Sequence, residues 1–288
     1  MNQAEGFATA PQGNVTQASH KHVTKQNLPS RNATNTFHSG EAQRVLVVGG
    51  YGGLGAVICE QFAERGASVA IAGRSLDKAT ELAEKLAGNG ATTLPLALDV
   101  TDSASIDAAV AAVVDAWGGL DVLVNSASTL VTVPAEHFDD DQWEGVVRAN
   151  LVGAFLLSKS VGRYLLAHGG GRIIHLSSVR GDAGGRMGFS AYGASKAGVN
   201  LLVKQLATEW GGRGVTVNAV APGFMRTDFV EAAQRNEQFV ARLRQRIPIG
   251  RFAEPEEVAS AVVYLATPLA RFINGQVVYV DGGVTASH

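Results

Sequence analysis

The chain has 288 residues, a formal net charge of −2, and 46% hydrophobic against 17% charged residues, ordinary proportions for a soluble globular protein. A charge so near zero gives no reason to expect nucleic acid or a membrane surface as partner, and no apolar run approaches the roughly 20 residues that span a bilayer. The single cysteine, Cys59, excludes an intrachain disulfide and a Cys-rich metal site and fits a reducing, cytoplasmic setting.

Residues 1–43 are rich in Asn, Gln, Thr, Ser and His and lack the apolar core of a secretory signal. Such a segment buries too little apolar surface to offset the entropy of ordering it. It is expected to be a loose tail whose His20, His22 and His38 are solvated rather than metal-bound. From Arg44 onward strands and helices alternate. Strands are expected at Val45–Val48, Val69–Ala72, Leu94–Leu98, Leu120–Val124, Arg172–Leu176, Val215–Val220 and Gln276–Val280. Between them, helices are expected over Leu54–Arg65, from the Ser75 cap to Leu86, and over Asp102–Trp117. Further helices follow at Asp139–His168 with a break near Gly153, Ser190–Trp210, Thr227–Arg246 and Pro255–Thr267. The strands are near-continuous apolar runs, as required when helices cover both faces of a parallel sheet. This predicts an α/β fold: one doubly wound, Rossmann-type domain over residues 44–288, with a seven-stranded parallel sheet.

The first strand runs into Gly49-Gly-Tyr-Gly52-Gly53-Leu54-Gly55 and then a helix. Glycines here let the backbone approach a pyrophosphate, and the helix N-terminus supplies N–H groups and positive dipole for it. Gly49, Gly53, Leu54 and Gly55 are therefore expected to hold a dinucleotide. The second strand ends in Gly73-Arg74 with no acid to accept from a ribose 2′-hydroxyl. Arg74 suits a 2′-phosphate, which points to NADP (NADPH) over NAD.

Tyr192 and Lys196 stand four residues apart and share one helix face. A free phenol titrates near 10, and a nearby ammonium favours its ionised form. Ser178 ends an apolar strand, on the side of the sheet where ligand crevices form. It can donate to a carbonyl oxygen beside the tyrosine.

The spacing of Gly49, Gly53 and Gly55, with Tyr192-x-x-x-Lys196 and Ser178, resembles the short-chain dehydrogenase/reductase family. That family usually has Thr where Val48 stands, and N-N-A-G where this chain has Asn125-Ser-Ala127-Ser128. The resemblance, which runs from 44 to 283, implies further roles. Asp99 and Val100 would contact adenine, with Asn125 and Ala127 beside the cofactor. Asn150 would hold a water leading to the lysine. Pro222, Gly223 and Thr227 would meet the nicotinamide carboxamide. It implies catalysis by Asn150, Ser178, Tyr192 and Lys196 and no metal. The reaction implied is hydride transfer between nicotinamide and a small-molecule carbonyl/alcohol pair, in a homotetramer or homodimer whose 139–168 and 190–210 helices pack together. Over Phe224–Ile249, the expected flap, five arginines outnumber the acids, which suits an anionic or carrier-bound substrate. Alternatives left open are an NAD-dependent polyol/sugar dehydrogenase, a non-catalytic dinucleotide-binding protein, and a lyase or epimerase.

Overall fold

Seven short strands carry the molecule's most apolar sequence, and in the computed structural model they pair side by side, all parallel, in the order β3-β2-β1-β4-β5-β6-β7. The structure describes residues 42–185, 188–226 and 237–287, all within one compact unit, Asn35–His288. The strands are β1 (Arg44–Val48), β2 (Ser68–Gly73), β3 (Thr93–Ala97), β4 (Val122–Asn125), β5 (Gly171–Leu176), β6 (Val215–Pro222) and β7 (Val277–Val280). The helices are α1 (Gly53–Glu64), α2 (Leu76–Ala87), α3 (Ser103–Trp117), α4 (Asp140–Val147), α5 (Gly153–Ala167), α6 (Ser190–Trp210), α7 (Glu237–Arg244) and α8 (Pro255–Ala266). Of the expected helix Thr227–Arg246, residues 227–236 lie outside the described residues.

The pleat divides each apolar run between two cores. Val45, Val47, Val69, Ile71, Val122 and Val124 pack under α1, α2 and α8. Leu46, Val48, Ala70, Ala72 and Leu123 face the other way, under α3, α5 and α6. Both layers are needed, because neither face of these strands carries polar residues to meet water.

Two local readings change. β4 starts at Val122 rather than Leu120, because Asp121 is engaged at the strand's edge. Its carboxylate takes a two-pronged ion pair from Arg44, at 2.9 and 2.7 Å. The expected break near Gly153 is a π-helical turn, Arg148–Val152, between α4 and α5, and it turns Asn150 inward, 2% exposed. Gly153 itself packs against Val100, where an added Cβ would come within 3.0 Å of the valine side chain.

Candidate active site

The strand order reverses between β1 and β4, so the loops leaving their carboxyl ends diverge and open a crevice. The glycine loop forms one wall. Gly49 has φ +75°, and a Cβ there would lie 2.7 Å from the Ala127 amide nitrogen. Gly55 sits so tightly on the Gly49 carbonyl that a Cβ would collide with it. Val48 lacks the hydroxyl expected at its position, yet the loop is tied on both sides by backbone. Gly49 donates to the Ala72 carbonyl at 2.8 Å, and Ser126 donates to the Val48 carbonyl at 2.8 Å.

The crevice holds a cavity of about 400 Å³ whose lining includes Gly49, Arg74, Asp99, Val100, Ala127 and Ser128. Tyr51, given no role by its sequence context, also lines it. Its hydroxyl accepts from the Ser75 amide at 2.9 Å, and its ring occupies the space a Cβ on Gly73 would need, at 2.5 Å. The absence of a side chain at Gly73 is thus required by Tyr51. Asp99 accepts from the Thr101 amide and hydroxyl, each at 2.8 Å. These bonds, with smaller help from Arg74 and Arg148, hold its carboxyl below the usual range. Gly53 has open space around it and Leu54 packs on the core beneath. An elongated groove with close-approach glycines at a helix N-terminus and a guanidinium at its rim fits a dinucleotide.

At the next strand end, Ser178 is extended and 9% exposed, and its Oγ accepts from the Arg180 amide at 3.1 Å. The Tyr192 phenol meets the Ser178 and Ser128 side chains. Lys196 is 2% exposed. Its Nζ donates to the Leu176 carbonyl at 2.7 Å and lies 5.6 Å from the Tyr192 ring centroid. Burial pushes the phenol above its ordinary value, offset in part by the two serines and by Arg180. Burial also pulls Lys196 down to about 8. Desolvation is the larger cause, so in the protein alone the phenol is raised rather than lowered.

The Asn150 side-chain amide is held by protein partners. Oδ1 accepts from the Thr129 amide at 2.7 Å and from Ser128 Oγ at 3.4 Å. Nδ2 donates to the Thr129 carbonyl at 2.9 Å and to Ser195 Oγ at 3.0 Å. Asn125 accepts from the Ala127 amide at 3.2 Å, and its Nδ2 meets His175 Nδ1 at 3.2 Å. His175 is fully buried, also contacts Ser158 Oγ at 2.9 Å, and is held neutral, its pKa pulled down to about 3 by burial and then by Lys196. A histidine inside the apolar run Arg172-Ile-Ile-His175-Leu was the signal for it. Pro222 closes β6 opposite Val280, and Gly223 donates to the Val280 carbonyl at 3.1 Å. Thr227 lies outside the described residues. Among the described residues there is no cluster of three metal-ligating side chains and no helix long and apolar enough to cross a membrane.

Residues 49–285 match the family model described as enoyl-(acyl carrier protein) reductase. The chain belongs to the short-chain dehydrogenase/reductase family. It is 41% identical over 244 residues to 3-oxoacyl-(acyl-carrier-protein) reductase of Vibrio cholerae, covering 85% of this chain and 98% of that protein. It is 40% identical over 240 residues to D-threitol dehydrogenase of Mycolicibacterium smegmatis, covering 83% and 92%. Among solved structures it is similar to gluconate 5-dehydrogenase from Burkholderia cenocepacia in complex with NADP and tartrate. That match has a TM-score of 0.82 and 32% identity, over 86% of this chain and 97% of the other. Members of this family are oxidoreductases, and this chain is one.

Gly55→Ala tests the groove. The added methyl collides with the Gly49 carbonyl, so nucleotide affinity is expected to fall by more than tenfold, about 1.4 kcal/mol. Fluorescence titration with NADPH and NADH reads this, and circular dichroism checks that the fold persists.

Proposed function

We propose that this protein is an NADP(H)-dependent dehydrogenase/reductase acting on a carbonyl/secondary-alcohol pair, with Tyr192 as acid/base. One observation carries the reading: Tyr192, Ser178 and a buried Lys196 converge at the strand ends beside the dinucleotide groove. The glycine loop, Asp99, Val100, Asn125, Ala127, Pro222, Gly223 and Thr227 would hold the nucleotide, and Arg74 would pair with its 2′-phosphate. When bound, the nicotinamide supplies hydride to a carbonyl carbon or takes it from an alcohol carbon.

The chain's own groups manage the oxygen. In reduction, Ser178 donates a hydrogen bond to the carbonyl oxygen and polarises it, and the Tyr192 hydroxyl delivers its proton there. In oxidation the same phenol oxygen takes the alcohol proton. Lys196, cationic below about pH 8, supplies positive charge under the phenol when the proton leaves. Asn150 holds the Ser128–Thr129 backbone against α6.

A second feature favours an anionic substrate. Arg180 lies over the Phe189 ring at 4.9 Å, close enough to Tyr192 to influence its titration. Arg246 lies over Phe224 at 5.5 Å and disfavours the Arg180 charge, after burial, the larger cause. Two neighbouring like charges, one of them acting on the phenol, suit a carboxylate or phosphate on the substrate. Phe155 on α5 and Leu201 on α6 are exposed, at 44% and 67%, which supports pairing of these helices in a homodimer or homotetramer.

Tyr192→Phe is expected to cut turnover of gluconate or D-threitol by about 10²–10⁴-fold, the worth of a positioned acid/base; turnover near the parent level overturns the mechanism. Arg74→Glu is expected to abolish a preference for NADPH over NADH, and a parent protein without that preference overturns the cofactor reading. Arg180→Gln is expected to raise KM about tenfold more for gluconate than for D-threitol, the loss of one charge-assisted hydrogen bond, while any effect through the Tyr192 titration falls on both substrates alike. Light scattering is expected to give two or four chains per particle, and a monomer refutes the assembly.

A further inference from the structure

β5 buries one histidine among its apolar residues, and no step of the oxidation or reduction uses it. His175 is wholly buried, level with Asn125 on β4 and with Ala219 on β6. Both of its ring nitrogens have partners. Nδ1 lies 3.2 Å from Asn125 Nδ2, and Nε2 lies 2.9 Å from Ser158 Oγ on α5. Asn125 and Ser158 are buried too, and each holds one further partner. The Ala127 amide donates to Asn125 Oδ1 at 3.2 Å. Ser158 Oγ donates to the Ala154 carbonyl, one turn earlier in α5, at 2.8 Å.

These contacts admit one placing of the protons. A serine hydroxyl has a single proton, and Ser158 gives its own to Ala154. Ser158 therefore accepts from His175, and Nε2 carries hydrogen. The Ala127 N–H needs an oxygen, which fixes the Asn125 amide with Oδ1 toward Ala127 and its NH2 toward the ring. An amide NH2 only donates, so Nδ1 is bare. Hydrogen bonds then run one way, from Ala127 through Asn125, His175 and Ser158 to Ala154. Turning the Asn125 amide over sets its NH2 against the Ala127 N–H and its oxygen against the bare Nδ1, and both bonds are lost. The ring must be neutral for this, and burial, then Lys196, keeps it so.

We propose that His175 is a positioning residue for the nucleotide groove: its bare Nδ1 fixes the Asn125 amide, and through it the Ala127 backbone on which the glycine loop closes. This rests on the reading of the groove as a dinucleotide site. Clearances there are small. A Cβ on Gly49 would lie 2.7 Å from the Ala127 amide nitrogen, and Ala127 itself lines the groove. With Gly49 on one side and the core beneath, a loosened Ala127 moves toward the groove, into the nucleotide's space. The far end of the chain of bonds is Ala154, beside the Gly153 that packs on Val100, another lining residue. The start of α5 thus supports the groove at two points.

Asparagine and glutamine separate the two ring nitrogens. Asparagine carries its amide at the reach of Nδ1, and glutamine at the reach of Nε2. His175→Asn keeps an acceptor for Asn125 and loses Ser158, whereas His175→Gln keeps a donor for Ser158 and loses Asn125. Each leaves one buried partner unmatched, so both are expected to lower the thermal midpoint. NADPH titration by fluorescence is expected to part them: about tenfold weaker binding in His175→Gln, from one lost hydrogen bond, and binding within about twofold of the parent in His175→Asn. In turnover the change is expected in KM for the nucleotide rather than in kcat. A merely structural histidine would lower both midpoints without parting the affinities. Equal affinities in the two variants, or the reverse order, overturn this proposal alone. A parent that binds neither NADPH nor NADH overturns the dinucleotide reading and this proposal with it. Should the variants fail to fold, nitrogen-15 shifts of the parent decide. The imidazole that does not titrate between about pH 5 and 8 is expected to carry its proton on Nε2, and a proton on Nδ1 overturns the proposal.

Discussion

Parallel strands end alike, and everything in this site depends on that. Val48 stands level with Ala72 on one side and Asn125 on the other, and Asn125 is level with His175. One residue or a few beyond this line, each strand releases the piece of chain that carries chemistry: Gly49 after β1, Arg74 after β2, Ala127 and Ser128 after β4, Ser178 after β5 and Gly223 after β6. A helical element then returns over the sheet and brings Tyr192 and Lys196 down onto the same edge. No side chain has to reach far, and the short links leave little entropy to lose on ordering.

The electrostatics follow from that placement. The sheet edge is covered by helices, so each polar group there is partly desolvated, and desolvation disfavours whichever form is charged. It raises the phenol of Tyr192, lowers the ammonium of Lys196 to about 8 and makes His175 neutral throughout the ordinary pH range. The tyrosine and lysine are therefore each moved away from ionisation. The hydroxyls around Tyr192 and the Arg180 charge offset part of this for the phenol, and the Leu176 carbonyl holds the Lys196 ammonium in place.

Much of this was legible in the residues. All seven strands were found because buried parallel strands leave unbroken apolar runs, and the glycine loop because close backbone approach excludes side chains. The paired Tyr192 and Lys196 were found from helical spacing. What escaped is tertiary. Tyr51 is an aromatic in a glycine loop, and only the three-dimensional approach of Gly73 shows why its neighbour strand ends without a side chain. The π-turn at Arg148–Val152 has no sequence signature of its own; its effect, an asparagine facing inward from a helix, is set by the loop it grips. Ser128 was noticed as a departure from glycine, but its partner Asn150 lies 22 positions further on, in the π-turn. Hydrogen bonds across such distances in the chain follow from the fold and cannot be read along it.

The Arg44–Asp121 ion pair lies at the amino ends of β1 and β4, the opposite edge from the groove. It joins residues 77 apart in the chain, whereas β1 meets β2 at a separation of 24. Loop-closure entropy makes the wider junction about 1 kcal/mol harder to form. The β1–β4 junction is thus where two more local halves of the sheet are sewn together, and the ion pair acts as a clasp at one end of that join while the crevice opens at the other. The same topological reversal that creates a place for a ligand leaves the molecule with its natural line of parting, fastened from behind.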